Sequence, residues 1–290
     1  MIKVEHLYHS YNEDDQYAVK DVSFEVKKGE IFGFLGPSGA GKSTTQNILT
    51  GLLPLQKGKV IVNGIDISKE DKNRFNQIGV SFEQSNLYSK LTAEENLKYY
   101  GQLFDVPCRD PKELIKMVGL AGKEKVKVRE FSKGMKHRLT FARSLINNPT
   151  LWFLDEPTTG LDPTIASTVK DIIRQENEKG VTVFLTTHNM HIAEELCDRV
   201  AFIIDGEIKL IDSPKNLKLK YGQKAVEVEY VEDGKNKTEC FSLKDKESKK
   251  KLIDVIANRE IVTMHSKEAS LEEIFIQVTG KGLASHENME

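Results

Sequence analysis

The chain has 290 residues, with 42 Lys and Arg against 44 Asp and Glu and a formal net charge of −2. Its hydrophobic share of 39% beside 30% charged residues supports a packed core under a solvated surface, on the scale of about two domains. The balanced charge leaves no global basic field, which excludes wholesale nucleic-acid binding; Cys108, Cys197 and Cys240 form no CxxC pair, which excludes a disulfide framework or zinc knuckle and suits reduced cytosolic thiols.

In chain order, Ile2-Lys3-Val4-Glu5 alternates as a strand and lacks the charged head and apolar body of a signal peptide. In Asp21–Val26, the side chains of Val22, Phe24 and Val26 share one face. Lys27–Glu30 marks a turn, and Ile31–Leu35 reads as a strand buried on both faces. A glycine-rich loop follows, then a helical stretch to about Leu52. Gly58–Ile67 reads as a strand and turn, with Asn63-Gly64 as its hairpin signal. From about residue 85 to 150 the texture is helical. Thr92-Ala93-Glu94-Glu95 has capping-box spacing, and Met135, Leu139, Ala142 and Ile146 fall on one helical face after Ser132. Strand texture returns at Leu151–Asp155, Val181–Thr186 and Val200–Ile204, with a helix at about Thr164–Lys179. Such alternation indicates a parallel sheet with crossover helices. Beyond about Tyr221 come an alternating run at Ala225–Val231, a turn at Asp233–Asn236, a charged run at Lys244–Lys251 that suits a solvated face, with a membrane-surface patch as the alternative, and an amphipathic stretch at Leu271–Ile276. No segment approaches the roughly 20 apolar residues that cross a bilayer.

Gly36-Pro37-Ser38-Gly39-Ala40-Gly41-Lys42-Ser43, followed by Thr44, matches G-x-x-x-x-G-K-[ST] in full. Glycines let successive backbone N–H groups turn toward phosphate oxygens, and the helix that follows adds its positive end. In this pattern Lys42 reaches the β- and γ-phosphates and the Ser43 hydroxyl binds Mg²⁺. The loop follows a buried strand and opens a helix, the context that this chemistry needs.

Leu151–Leu154 is an apolar run that ends in Asp155 and Glu156. Strand alternation directs the two carboxylates to opposite sides and so to different tasks. Asp155 suits the Mg²⁺ role of a Walker B aspartate, and Glu156 suits a base that polarises water for attack on the γ-phosphate.

With these two motifs the chain resembles the ATP-binding subunits of ABC transporters over about residues 1–215. Gln84, after Ile78–Glu83, is similar to the Q-loop glutamine, and Phe131-Ser132-Lys133-Gly134-Met135 resembles the signature motif. Gly160-Leu161-Asp162-Pro163 resembles the D-loop, and His188 after Thr186-Thr187 resembles the switch histidine. Tyr11 is similar to the aromatic that stacks on adenine, with Tyr8 and Tyr17 as competitors that its position outranks. His188 and His191 also have the spacing of a metal pair, but no other ligand motif accompanies them. Lys133 and Met135 depart from the commonest signature and resemble exporter-type variants.

The resemblance implies an α/β P-loop NTPase fold. Its parts are an ABC ATPase core with a parallel sheet, an antiparallel β subdomain, an inserted helical subdomain at about 85–150, and a small α+β C-terminal appendage. It divides the chain into an ATPase domain, 1–220, and an accessory region, 221–290. ATP and Mg²⁺ are the implied ligands, in a head-to-tail homodimer or heterodimer. In that dimer Ser132 and Gly134 face the partner's γ-phosphate and Asp162 contacts the partner. His188 positions the water, and Gln84 senses Mg²⁺ and couples the site to separate transmembrane permease subunits. The implied location is cytoplasmic, peripheral on the inner face of the membrane. The tail Ala269–Phe275, with Val262–His265, resembles bacterial drug and antibiotic exporter ATPases, putative fluoroquinolone exporters included. The alternative reading is a soluble non-transport ABC ATPase that serves assembly, nucleic acid or ribosomes.

Overall fold

A computed structural model describes residues 1–12, 16–69, 71–222, 225–267 and 269–280. The N-terminal strands β1 (Ile2–His9) and β2 (Val19–Val26) pair antiparallel, and β1 also pairs with β4 (Lys57–Val62). With β5 (Ile65–Asp66) they form an antiparallel sheet of order β2-β1-β4-β5. Asn63 and Gly64 both take positive φ, 52° and 80°, as a two-residue hairpin turn requires. Val22, Phe24 and Val26 are buried together, as their alternation predicts.

The second sheet contains β3 (Ile31–Leu35), β6 (Ile78–Ser81), β7 (Leu151–Asp155), β8 (Thr182–Thr187), β9 (Arg199–Ile204) and β10 (Glu207–Asp212). Its order is β10-β9-β3-β8-β7-β6, parallel throughout except for the β10–β9 hairpin. The sequence pattern singles out neither β6 nor β10. Parallel pairs need crossovers, here supplied by α1 (Lys42–Thr50), α5 (Pro163–Glu178) and α6 (Met190–Leu196). The two sheets share one core. Phe24 of the antiparallel sheet meets Phe32, Phe34 and Phe184 of the parallel one, with ring centroids 5.6, 5.4 and 5.9 Å away.

Between β6 and β7 the chain forms α2 (Ala93–Gly101), α3 (Pro111–Met117) and α4 (Lys133–Arg143). Thr92 and Glu95 cap α2 reciprocally, as their spacing predicts. Helix α4 stops at Arg143, so Ile146, which the sequence places on its apolar stripe, is buried in the following turn. Before α3, Arg109 Nη1 donates to Glu176 Oε1 of α5 at 3.0 Å, and Lys179 Nζ donates to the same oxygen at 2.8 Å. Burial raises the affinity of the Glu176 carboxyl for a proton, but the hydrogen bonds from Arg109 and Lys179 outweigh it and hold its pKa below the usual glutamate range.

A second compact unit begins at Ser213, which caps α7 (Pro214–Tyr221). The sequence boundary at about residue 220 leaves α7 with the ATPase, yet α7 packs on α9 (Leu271–Thr279), far along the chain. Strands β11 (Ala225–Glu232), β12 (Lys235–Ser242) and β13 (Glu260–Lys267) form an antiparallel sheet of order β12-β11-β13. Asp233 and Gly234 alone make its tight turn, so Lys235 and Asn236, read as turn residues in the sequence, already belong to the ladder. Helix α8 (Lys246–Asn258) covers this sheet through Leu252, and its lysines Lys246, Lys249, Lys250 and Lys251 are exposed.

Replacing Arg109 leaves a buried carboxylate with one cation fewer, so Arg109→Ala lowers stability by about 3 kcal/mol at neutral pH. Because the folded-state pKa of Glu176 is depressed, its contribution is present above the unfolded value of 4.5 and is lost as pH falls through the lower folded value. Urea titrations of wild type and variant converge in that acid range. A gap between them that stays constant down to strong acid contradicts the assignment.

Candidate active site

The loop between β3 and α1 is shaped by contacts that admit no side chain. A Cβ on Gly36 would lie 2.2 Å from the Ile203 carbonyl oxygen. Gly41 has φ of +100°, and a Cβ there would lie 2.4 Å from the Ala18 carbonyl oxygen. As the N-cap of α1, Gly41 offers no side-chain acceptor, so the first N–H groups of that helix are left for an anion. Lys42 closes the loop from within. Its Nζ donates to the carbonyls of Gly36 and Pro37 at 2.7 and 2.9 Å. Burial holds the Lys42 ammonium below the ordinary lysine range, opposed by the carboxylates of Glu156, Asp155 and Glu83.

Asp155 ends β7 and turns to this loop. Ser43 Oγ donates to its Oδ2 at 3.4 Å, and the Thr186 hydroxyl donates to its Oδ1. Burial pushes the Asp155 carboxyl up, with the Thr186 hydrogen bond pulling it back.

Glu156 does not continue the strand. Its φ is +47°, in the left-handed region, which costs a non-glycine residue about 1 kcal/mol or more. The two acids are therefore separated by this backbone reversal, a correction to the simple alternation that the sequence suggests. The carboxylate that results is saturated with donors. Its Oε1 accepts from His188 N at 2.9 Å and from His188 Nδ1 at 2.7 Å. Its Oε2 accepts from Thr187 Oγ1 at 2.9 Å and from Thr159 Oγ1 at 3.1 Å. A carboxylate oxygen only accepts here, so Nδ1 of His188 carries the hydrogen.

Tyr11 stands at the mouth of the loop with its ring exposed and its hydroxyl 3.0 Å from Thr44 Oγ1. Tyr8 and Tyr17 instead turn to each other, with ring centroids 5.4 Å apart. The remaining predicted residues lie elsewhere. Gln84 is exposed just past β6. Ser132 caps α4, its Oγ accepting from Met135 N at 3.2 Å, and Gly134 lies in the first turn of that helix. Asp162 caps α5, its Oδ1 accepting from Ile165 N at 3.0 Å. Among the described residues, none of these four hydrogen-bonds to the 36–44 loop, to Asp155 or to Glu156.

The sequence reading overlooks the groups that hold the acids in place. Thr159, Thr186 and Thr187 are small β-branched residues whose hydroxyls carry no motif of their own. His137, on α4, donates from Nε2 to the Pro157 carbonyl at 2.9 Å. Arg143, buried at the end of α4, donates from Nη1 to the Asn86 carbonyl at 2.8 Å and lies over the Tyr100 ring, fixing the segment after Gln84. Only the Thr186-Thr187 pair directly before His188 was open to notice as a polar end to an apolar strand.

Comparison with known proteins bears on the family and the fold. The ABC transporter family profile matches residues 19–159. The fluoroquinolones export ATP-binding protein of Mycobacterium tuberculosis is 46% identical over 284 residues, 98% of this chain and 94% of that protein. The linearmycin resistance ATP-binding protein LnrL of Bacillus subtilis is 33% identical over 300 residues, 100% of this chain and 92% of that protein. Among solved structures, the dimeric ATP-binding cassette MJ0796 bound to ADP and Pi superposes with a TM-score of 0.67 at 29% identity, over 73% of this chain and 98% of that one. With a phosphate loop, an acid pair and a histidine gathered at one sheet edge, and with relatives that match it nearly end to end, the chain belongs to the ABC transporter family, among its ATP-binding subunits.

Proposed function

We propose that this chain is the ATPase of a bacterial exporter for a drug or antibiotic, which works as a head-to-tail dimer on permease subunits encoded as separate chains. The observation that carries the reading is the Glu156 carboxylate, held by four hydrogen bonds at the strand end beside Lys42, Ser43 and Asp155. The near full-length similarity to two export or resistance ATPases supports the cargo class, and the dimeric cassette MJ0796 supports the assembly. No helix among the described residues is long and apolar enough to cross a membrane, so the chain reaches the inner face of the membrane through its permease.

On this reading the loop 36–44 wraps the phosphates of ATP with backbone N–H groups, and Lys42 exchanges the Gly36 and Pro37 carbonyls for phosphate oxygens. Tyr11 stacks on the adenine. Ser43 and Asp155 present the hard oxygen donors that would hold Mg²⁺, and Gln84 would sense the ion from the end of β6. The metal ion contributes neutralisation of the phosphate charge. Glu156 accepts the proton of the attacking water, and His188 leaves the Glu156 carboxylate to hydrogen-bond the γ-phosphate and hold that water in line. Ser132 and Gly134 open a capped helix whose positive end lies free to meet the γ-phosphate bound by the partner. Asp162, exposed beside them, lies where a partner contact is available. ATP then has more affinity for the closed dimer than for the open one, which lets it drive a change of access in the permease.

Glu156→Gln keeps ATP binding and lowers turnover by about a hundredfold or more. Steady-state phosphate release decides this, and turnover at the wild-type rate removes Glu156 as the base. Lys42→Ala weakens ATP binding about tenfold or more in calorimetry; unchanged affinity refutes the role given to the lysine. For the exporter reading, the chain is purified with its permease, reconstituted in vesicles and assayed with fluoroquinolones and with linearmycin. Stimulation of ATP hydrolysis and vectorial uptake by one of these classes is expected. A chain that hydrolyses ATP but binds no membrane partner contradicts the exporter assignment.

A further inference from the structure

We propose that His137 is a positioning residue that links the two ATP sites of the dimer, an inference that rests on the head-to-tail reading above. In that dimer a protomer uses its signature helix on one nucleotide and its Glu156 on the other. Within a single chain, the hydrogen bond from His137 to Pro157 joins these two elements directly. His137 lies one turn beyond the capped start of α4, and Pro157 follows Glu156 in the chain. The Nε2 of His137 is 2.9 Å from the Pro157 carbonyl oxygen, and both residues are buried. A carbonyl only accepts, so Nε2 carries the hydrogen and the bond has a fixed direction.

The position of this bond gives it leverage. Glu156 sits in a left-handed backbone conformation that its surroundings must maintain. On the sheet side, Glu156 N donates to the Thr186 carbonyl at 3.0 Å, and Thr187 and His188 hold the carboxylate. His137 holds the same turn from α4. A helix is stiff along its axis, so a displacement of its first turn by a docked phosphate is felt at His137 and passed to the peptide that follows Glu156. Occupancy of the partner's nucleotide thereby adjusts the base that acts on the protomer's own.

The test uses the full chain and two substitutions of similar size, His137→Met, which has no donor, and His137→Gln, which keeps one. Thermal unfolding and ATP-binding calorimetry verify that each variant folds and binds nucleotide. His137→Met is expected to lower kcat by about tenfold with little change in KM. Its Hill coefficient for ATP hydrolysis is expected to fall from about two toward one. His137→Gln is expected to restore both. Wild-type kcat and cooperativity in His137→Met overturn the proposal. So does a folded, ATP-binding His137→Gln that is no better than His137→Met. The dimer reading is tested independently by the wild-type Hill coefficient and by sedimentation of Glu156→Gln with ATP. A coefficient of one and a monomer there remove that reading, whereas wild-type cooperativity that survives in His137→Met removes only the role of His137.

Discussion

Strand β8 lies between β3 and β7, and its register with both neighbours is the constraint on which the site depends. Leu35 pairs with Thr187, and Asp155 pairs with Thr186, so three parallel strands end at one edge within a residue of each other. Beyond that edge the chain continues as the phosphate loop from β3, as the acid turn from β7 and as the histidine turn from β8. Parallel strands leave the sheet in one direction, and the crevice beyond their ends is where open α/β sheets place their chemistry. A slip of one residue would turn the hydroxyls of Thr186 and Thr187 to the wrong faces and leave Asp155 and Glu156 without their donors.

The groups gathered at this edge are costly to bury, and the protein offsets that cost locally. Lys42 takes two carbonyls of its own loop, Asp155 takes two hydroxyls, and Glu156 takes four donors. Each charged group therefore has partners before a nucleotide arrives. A site organised in this way reorders little when the substrate binds, which is the condition under which fixed dipoles stabilise a transition state best. On the proposed reading, Lys42 exchanges carbonyl for phosphate and His188 exchanges carboxylate for phosphate, which keeps most of these bonds in number while it changes what they hold.

The helical segment is attached to the sheet core by different means. The apolar cluster under the two sheets draws on both of them and on α1, while the link across to α4 combines the Phe141–Trp152 ring contact, centroids 4.9 Å apart, with polar ties. Arg109 reaches Glu176, Arg143 reaches Asn86, and His137 reaches Pro157. Directional bonds of this type break and re-form as units whenever the parts of a chain that they join move against each other. Two of the three touch segments next to Gln84 or Glu156, so such a motion bears on the site itself.

Much of the protein was legible from contiguous sequence. The phosphate loop, the capping box at Thr92, the Asn63-Gly64 turn, the alternation of Val22, Phe24 and Val26 and the parallel sheet all follow from local rules, because backbone torsions and strand or helix periodicity are set by near neighbours. The same holds for the order of motifs that marks the family. The tertiary structure decided the rest: the left-handed turn at Glu156, the threonines that hold the two acids, the tie from His137, and the transfer of α7 to the second unit. Thr186 meets Asp155 across 31 residues of chain and His188 meets Glu156 across 32. Such partners are chosen by strand register and helix placement, which depend on the packing of the whole sheet and leave no mark in any short stretch of sequence.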